Sequence, residues 1–162
     1  MTLPPITFTA PCVPVAQPRQ RQRVVQAGGR AFAQNYTPRN SPVNAFKAAV
    51  QLAASQAYAG PPLDEPLEMS VTFVFARKKN QIWKTKPMPR LPHAGKPDLD
   101  NLLKSLMDAL TGTLFVDDAR VTRLTACKFV ASGSEQPHCE VIVWRPDTNL
   151  FPSTQEANHA TL

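Results

Sequence analysis

The sequence predicts an α+β domain in which two main helices back a small mixed β-sheet. Apolar residues alternate along several short segments, as in half-buried strands, and two longer segments repeat apolar residues at helical spacing. The predicted order is strand, loop, helix, strand, loop, helix, strand, strand. With 162 residues, the chain is long enough for one domain with a substantial core.

In the first half of the chain, prolines and glycines separate a strand from a helix. Residues 6–15 begin with alternation and carry prolines, which suits an edge strand. Residues 17–39 predict a long loop or an irregular hairpin, with Gly28 and Gly29 at its turn. Residues 41–59 are rich in Ala, Gln and Leu and predict the first helix, which the segment GPPLDEP ends.

The second half contains three predicted strands and the second helix. Alternation predicts a strand at 67–77, whereas residues 78–97 have four prolines and no period, which predicts a long basic loop. A leucine-rich amphipathic pattern predicts a helix at 98–111, and Gly112 ends it. Two further strands are predicted at 121–131 and 138–146.

The sequence indicates one domain at residues 1–146 followed by a flexible tail at 147–162, where no period is visible. The N-terminus lacks the features of a secretory signal, and no apolar run is long enough to span a bilayer. The three cysteines are widely spaced, which predicts free thiols in a reducing compartment. We therefore expect a cytoplasmic protein without a membrane partner.

Positive charge is concentrated in two segments of the chain. The net charge of +6 and the pI of about 9.6 favour polyanionic partners. Residues 17–39 hold five arginines, residues 77–96 hold seven Lys or Arg, and neither segment has an acid. Counterion release favours clustered bases on DNA, although a solvated surface is the alternative. The candidate DNA-binding residues are Arg19, Arg21, Arg23, Arg30, Lys78, Lys79, Lys84, Lys86, Arg90 and Lys96.

Aspartates gather around the second predicted helix. Asp98 lies at the N-cap position, where a side chain can accept from backbone N–H groups, and Asp100 lies in the first turn, where the helix dipole favours anions. Asp108 follows Lys104 by four residues, and Lys104 follows Asp100 by four. Caps and surface ion pairs therefore offer a structural explanation for each aspartate of this helix.

Asp117 and Asp118 form an adjacent acidic pair before a strand, where we expect no capping role. The sequence predicts that this pair and the helix start converge, and close carboxylates repel each other unless a cation lies between them. Oxygen ligands suit Mg²⁺ or Mn²⁺. Such an ion activates water and stabilises the transition state of phosphodiester cleavage, so the acids predict a metal-dependent nuclease whose basic segments hold DNA.

The stretch KPDLDNLLKSLMDAL, followed by VDDARV, closely resembles the motif of the RusA family of Holliday junction resolvases, which phages and prophages often encode. The motif match covers residues 96–121, and the order of elements extends the similarity to 6–145. The resemblance implies a small α/β fold, Mg²⁺ as the cofactor with Mn²⁺ as a substitute, and a location in the bacterial host cytoplasm. It also implies a homodimer, whose two-fold symmetry suits a four-way junction.

The resemblance also implies roles for individual residues. The catalytic carboxylates that would coordinate Mg²⁺ are Asp98, Asp100 and Asp118. Asp117 matches a neighbour that either binds metal or supports the site, Lys104 matches a lysine near the scissile phosphate, and Asn101 is expected to hold the helix start. Residues 17–39 and 78–95 look longer than in the short members of the family, which leaves the range of branched DNA substrates open.

The expected activity is a Mg²⁺-dependent, structure-selective endonuclease that resolves Holliday junctions by symmetric paired nicks during DNA recombination and repair. The alternative is a non-catalytic basic DNA-binding accessory protein of phage recombination, in which the aspartates would tolerate Asn. A Ca²⁺ folding site is disfavoured because no twelve-residue loop of alternating oxygen ligands is present. Trp83 and Phe115 are candidates for stacking at a junction centre, although core packing is expected for Phe115, and His93 is expected on a surface loop.

Overall fold

The structure is a computed structural model in which residues 4–18, 21–36 and 40–147 are described. Within them, five strands form one mixed sheet, two more form a separate hairpin, and two α-helices are present, which confirms the α+β prediction. In chain order the elements are β1 (Ile6–Ala10), β2 (Arg21–Ala27), β3 (Arg30–Tyr36), α1 (Pro42–Ala57), β4 (Leu67–Phe75), β5 (Leu91–Pro92), α2 (Leu99–Leu110), β6 (Val121–Val130) and β7 (His138–Trp144).

The order of strands across the sheet is β1-β7-β4-β6-β5. β4 and β6 are parallel, and the other neighbouring strands are antiparallel. At one end of the sheet Leu67 pairs with Val121, and at the other Phe75 pairs with Val130. We call these the Leu67 end and the Phe75 end. α2 connects the two parallel strands, β4 and β6, as a crossover helix.

The core lies between the sheet and the helices. Alternate residues of β4 belong to it, because successive side chains of a strand point to opposite faces. α2 contributes a buried stripe at helical spacing, and α1 packs on both α2 and β1. The largest fully buried side chains include Phe46, Phe73, Phe115, Leu67, Met69, Leu102 and Leu106.

Most boundaries agree with the sequence analysis, because local signals set them. Ser41 is the N-cap of α1 and Pro42 is its first residue. Gly112 follows α2 with a φ of 77°, a left-handed conformation that glycine adopts without strain. No helix in residues 4–147, as far as they are described, has the length and apolar character needed to cross a bilayer.

The first predicted strand was too long. β1 ends at Ala10, and the chain then leaves the sheet to run beside α2. The backbone N–H of Gln17 donates to the Asn101 carbonyl at 3.0 Å, and Ser105 Oγ donates to the Val15 carbonyl. These long-range partners on α2 explain why a strand pattern extending to residue 15 was misleading.

The two uncertain segments both contain regular structure. Gly28 and Gly29, with φ of 60° and 75°, connect β2 to β3 and confirm the hairpin within residues 17–39. Residues 78–97 contain a 3₁₀ turn, Lys79–Gln81, as well as β5. Apart from Asp147, the predicted tail lies outside the described residues.

Candidate active site and DNA-binding surface

Asp98 and Asp100 lie at the start of α2, at the Phe75 end of the sheet. The segment before α2 is fixed there by Lys128 of β6, whose ammonium donates to the Gly95 carbonyl and to the Pro97 carbonyl at 2.6 Å. Sequence analysis did not identify this lysine. Its one visible signal is a cation within an otherwise apolar segment of a strand, ACKFVA.

Asp98 occupies the N-cap position, as predicted, but its side chain makes no capping hydrogen bond. Both of its carboxylate oxygens instead accept from Lys96 Nζ, at 2.7 Å each. Because Lys96 is exposed, this ion pair contributes little to the free energy of unfolding, and another cation could replace Lys96 beside Asp98. It also means that Lys96 neutralises Asp98 in the free protein.

Asp100 and Lys104 lie one turn apart and are both exposed. Neither of them takes part in an ion pair with another described residue. Asp108, the other expected partner of Lys104, pairs with Lys47 of α1 at 3.0 Å. The structural explanation of this series by i,i+4 pairs is therefore wrong, and the charges of Asp100 and Lys104 have no structural partner in the described chain.

Asp117 and Asp118 have different surroundings. Asp117 makes a capping hydrogen bond, whereas Asp118 has no ion-pair partner among the described residues. Asp117 Oδ1 accepts from the Ala119 backbone N–H at 2.8 Å and caps the short 3₁₀ turn Asp118–Arg120, which corrects the expectation that neither residue caps. Asp118 is exposed and has no ion pair with any described residue, whereas Arg120 pairs with Asp64 at 2.7 Å.

The two acidic groups lie at opposite ends of α2 within one chain. Leu63 pairs with the segment that follows α2, around Phe115. The Leu63 N–H donates to the Leu114 carbonyl, and the Leu63 carbonyl accepts from the Val116 N–H. Leu63 shortly precedes β4, so this contact places Asp118 at the Leu67 end. A 12-residue helix is about 18 Å long. The expected convergence is therefore not met within a single chain.

A different cluster brings potential metal ligands together. Side-chain ligand atoms of Glu135, His138 and Glu140 lie within 4.8 Å of one another, and the described residues contain no other such group of three. The guanidinium of Arg90 already binds this cluster, with Nη2 2.7 Å from Glu140 Oε1 and Nε 3.0 Å from Glu135 Oε1. The geometry permits a metal ion, but Arg90 already forms ion pairs with both carboxylates and offsets one of their two negative charges.

The pKa values in this cluster reflect the same contacts. The hydrogen bond from Arg90 lowers the pKa of Glu135 to about 2 and also lowers the pKa of Glu140. Burial disfavours protonation of His138, but hydrogen bonds to the Gln136 carbonyl and to Glu140 raise its pKa overall. We call these four side chains, Arg90, Glu135, His138 and Glu140, the Arg90 clasp. It attaches the segment before β5 to the turn between β6 and β7 and to the start of β7.

The structure distributes the candidate DNA-binding residues over several surfaces. Four lysines are exposed on the loop after β4, namely Lys78, Lys79, Lys84 and Lys86, and Arg30 is exposed at the turn of the hairpin.

The other candidates do not offer a free charge that the structure describes. Arg90 is paired with carboxylates in the Arg90 clasp, and Lys96 forms an ion pair with Asp98. Arg21 and Arg23 lie on β2, and only their backbone is described. Arg19 falls outside the described residues.

The two aromatic candidates for stacking, Phe115 and Trp83, differ in solvent exposure. Phe115 is fully buried, which confirms core packing, whereas Trp83 is 46% exposed. His93 stacks obliquely on Phe75, with ring centroids 4.8 Å apart, and its Nε2 lies 3.1 Å from the Lys96 carbonyl. These contacts explain His93 as a residue that shapes the approach to α2.

The hydrogen bond of Asp117 predicts that its replacement is mild. Asn retains the side-chain oxygen that accepts from Ala119 N–H, so Asp117→Asn should keep DNA cleavage within about threefold of the parent and cost at most about 1 kcal/mol of stability. Asp118→Asn, at the adjacent position, serves as the matched comparison. Nicking rates and thermal unfolding of both variants check this; loss of cleavage in a normally folded Asp117→Asn would instead make Asp117 a metal ligand.

Comparison with known proteins supports one family. The family model described as "Endodeoxyribonuclease RusA" matches residues 11–143, most of the chain. An uncharacterized protein of Bacillus subtilis strain 168, YqaN, is 31% identical over 144 residues, which cover 85% of this chain and 94% of the relative. A crossover junction endodeoxyribonuclease, RusA of Lactococcus phage r1t, is 38% identical over 65 residues, which cover 39% and 44% of the two chains. The chain therefore belongs to the RusA family of endodeoxyribonucleases.

Proposed function

We propose that the protein is a Mg²⁺-dependent, structure-selective endonuclease that resolves four-way DNA junctions by paired symmetric nicks, as a homodimer, in DNA recombination and repair. The family and the crossover-junction activity in the name of the phage relative support the substrate class. The observation that carries the proposal is the pair Asp100 and Asp118. Both carboxylates are exposed at opposite ends of α2, and neither has an ion-pair partner in the described chain.

A two-fold dimer would bring these separated carboxylates together. β5 pairs only with Phe129 and Val130, so the rest of the outer edge of β6 has no strand partner in the described part of the chain. On β6 itself Leu124 is 39% exposed, and Val116, five residues before β6, is 40% exposed. A two-fold axis near the middle of β6 and α2 places the start of one α2 beside the far end of the other. Asp98 and Asp100 then face the partner subunit's Asp118.

The donor set of such a composite site suits a hard cation. Asp98 and Asp100 of one subunit, with the partner subunit's Asp118, supply only carboxylate oxygens, which Mg²⁺ and Mn²⁺ prefer. When bound, the ion would act as a Lewis acid on the phosphate and lower the pKa of an attacking water. In this proposal Asp98 exchanges the Lys96 ammonium for the metal ion.

The cations around this site have separate tasks in the proposal. Lys104 lies four residues after Asp100, so the two side chains lie on the same face of α2 and Lys104 can reach the charge of the scissile phosphate. The exposed lysines of the loop after β4 would hold the flanking phosphates. Hydrolysis would break the bond to the 3′ oxygen and leave a 5′-phosphate and a ligatable 3′-hydroxyl.

An immobile four-way junction with labelled ends tests the proposal. We expect nicks in two symmetry-related strands that require Mg²⁺ or Mn²⁺, with little cleavage of a linear duplex of the same sequence. Asp100→Asn should bind the junction in native gels but lose about a thousandfold or more in nicking rate, since several kcal/mol of transition-state stabilisation depend on the metal site. Junction binding without cleavage by the parent protein, on several junction sequences, would favour the non-catalytic accessory protein instead.

A further inference from the structure

The loop between β4 and β5 carries a cluster of exposed side chains that the proposed catalytic site does not use. We call residues 78–89 the Trp83 arm. Trp83 and its neighbour Ile82 are 46% and 48% exposed, although both are large and apolar. Lys78, Lys79, Lys84 and Lys86 flank them, and all four are exposed. A large apolar surface surrounded by cations fits a polyanion that presents flat, apolar faces.

Both ends of the Trp83 arm are fixed to the domain. Arg77, which is buried, donates from Nε to the Ala131 carbonyl at 2.9 Å and from Nη2 to the Pro89 carbonyl at 2.6 Å, so one side chain closes the base of the arm. The Met88 carbonyl accepts from the Gly133 N–H at 3.1 Å, and the Arg90 clasp follows immediately. The arm is therefore a closed loop on a rigid base.

The tip of the arm is organised around Trp83. Its backbone N–H donates to Met88 Sδ at 3.1 Å, which ties the tip back to the base. The Lys86 ammonium lies 5.8 Å from the centre of the indole ring, within range of a cation–π contact. These contacts restrain Trp83 while leaving its side chain 46% exposed before any DNA is bound, which lowers the entropic cost of stacking a base on it.

The arm lies next to the segment that enters α2. Lys78 and Gln81 line one cavity of about 490 Å³ together with His93 and Gly95. Gly95 precedes Asp98 by three residues, and its carbonyl accepts from Lys128. The arm is thus positioned at the Phe75 end, beside the carboxylates that we assign to cleavage. DNA that reaches Asp98 and Asp100 would pass within reach of its lysines.

We propose that the Trp83 arm recognises the branch point, with Trp83 stacking on bases left unstacked there, Ile82 packing against them, and the arm lysines binding the flanking phosphates. Within a continuous duplex both faces of every internal base pair are covered by neighbours, so away from the duplex ends the aromatic face gains a partner chiefly at a branch. The arm would therefore add to affinity for junctions more than for duplex. This inference rests on the proposed function, because it assumes that branched DNA is the substrate.

Trp83 can report its own environment. The chain has two tryptophans, so Trp144→Phe leaves Trp83 as the single indole. In the Trp144→Phe, Asp100→Asn protein without metal, we expect a four-way junction to quench Trp83 emission substantially more than a duplex of equal length at saturation. Anisotropy of fluorescein-labelled DNA measures binding independently. Equal quenching by junction and duplex, or no quenching despite binding, would overturn the proposal.

Substitution provides a second readout. Trp83→Ala should weaken junction binding by about tenfold and duplex binding little, since a stacked base is worth roughly that much. Trp83→Phe should retain most of the selectivity because it keeps an aromatic face. Leu52→Ala, which shortens a 61% exposed side chain on α1, is the matched control and should change neither affinity. Unchanged junction selectivity in Trp83→Ala would contradict the role of the arm.

The experiments distinguish failure of the endonuclease assignment from failure of the role of the Trp83 arm. If the parent protein cleaves junctions in Mg²⁺ but Trp83→Ala is equally selective, the endonuclease assignment stands and the arm has no part in recognition. If the parent protein neither prefers nor cleaves branched DNA, the proposed function fails and the role of the arm fails with it.

Discussion

An equal mixture of Asp100→Asn and Asp118→Asn should nick four-way junctions, although each variant alone should be inactive. If the site is shared across a dimer, a mixed dimer contains one site with both substitutions and one with neither. The intact site combines Asp98 and Asp100 of one subunit with the other's unaltered Asp118. After free exchange, half the dimers are mixed, so about a quarter of the sites should be intact. These dimers should leave single nicks rather than resolved junctions.

A second mixture provides the matched control. Asp98→Asn and Asp100→Asn remove carboxylates from the same half of the site, so every site in their mixed dimer lacks one of them. This mixture should stay inactive, with nicking about a thousandfold or more below the parent. Subunits with different tags, co-purified after exchange, show that mixed dimers have formed. If mixed dimers of Asp100→Asn and Asp118→Asn form and still fail to nick, the shared site is wrong.

The outline of the fold could be predicted because its signals are local. Pro42 and Gly112 mark helix ends by their own backbone preferences, and the two glycines at 28 and 29 specify the hairpin turn. The acidic residues around α2 were identified in the same way, from residue type and spacing. Their proposed chemistry, by contrast, depends on where distant parts of the chain meet.

Long-range partners account for what the sequence did not predict. Asp108 pairs with Lys47, 61 residues away, rather than with its helical neighbour, and Arg90 pairs with Glu135 and Glu140 rather than remaining a free cation. Local spacing contains no information about such contacts, since each depends on how α1, α2 and the β6–β7 turn pack.

The order of elements in the sequence already indicates that the two acidic groups are far apart in one chain. β4 and β6 are parallel and joined through α2, so the helix must run back along the sheet, opposite to both strands. Its start therefore lies at the end of β4, and the start of β6, with Asp118, lies at the other end. Recognising a strand–helix–strand unit in the sequence would have predicted that Asp98 and Asp118 are apart in one chain. Ligands of parallel sheets commonly lie at the carboxyl ends of strands, which is the end that Asp98 occupies.

Leu124→Asp should separate the dimer and abolish junction cleavage while each subunit stays folded. Leu124 is 39% exposed on β6, where it lies opposite the buried Met69, so a carboxylate there keeps access to solvent in the single chain and should lower the unfolding temperature without preventing folding. In the proposed dimer the substitution places two symmetry-related like charges near the two-fold axis. Such a juxtaposition costs several kcal/mol, which weakens association about a hundredfold or more.

The structural reason for lost cleavage would be loss of the partner's carboxylate, so binding and catalysis should respond differently. Light scattering should show a monomer, circular dichroism a native fold, and junction binding should persist at reduced affinity because the lysines are untouched. Leu52→Asp, on the exposed side of α1, is the matched control and should remain dimeric and active. A monomeric Leu124→Asp that nicks as fast as the parent would show that one chain contains a complete site. A Leu124→Asp that stays dimeric would place the interface elsewhere on the molecule.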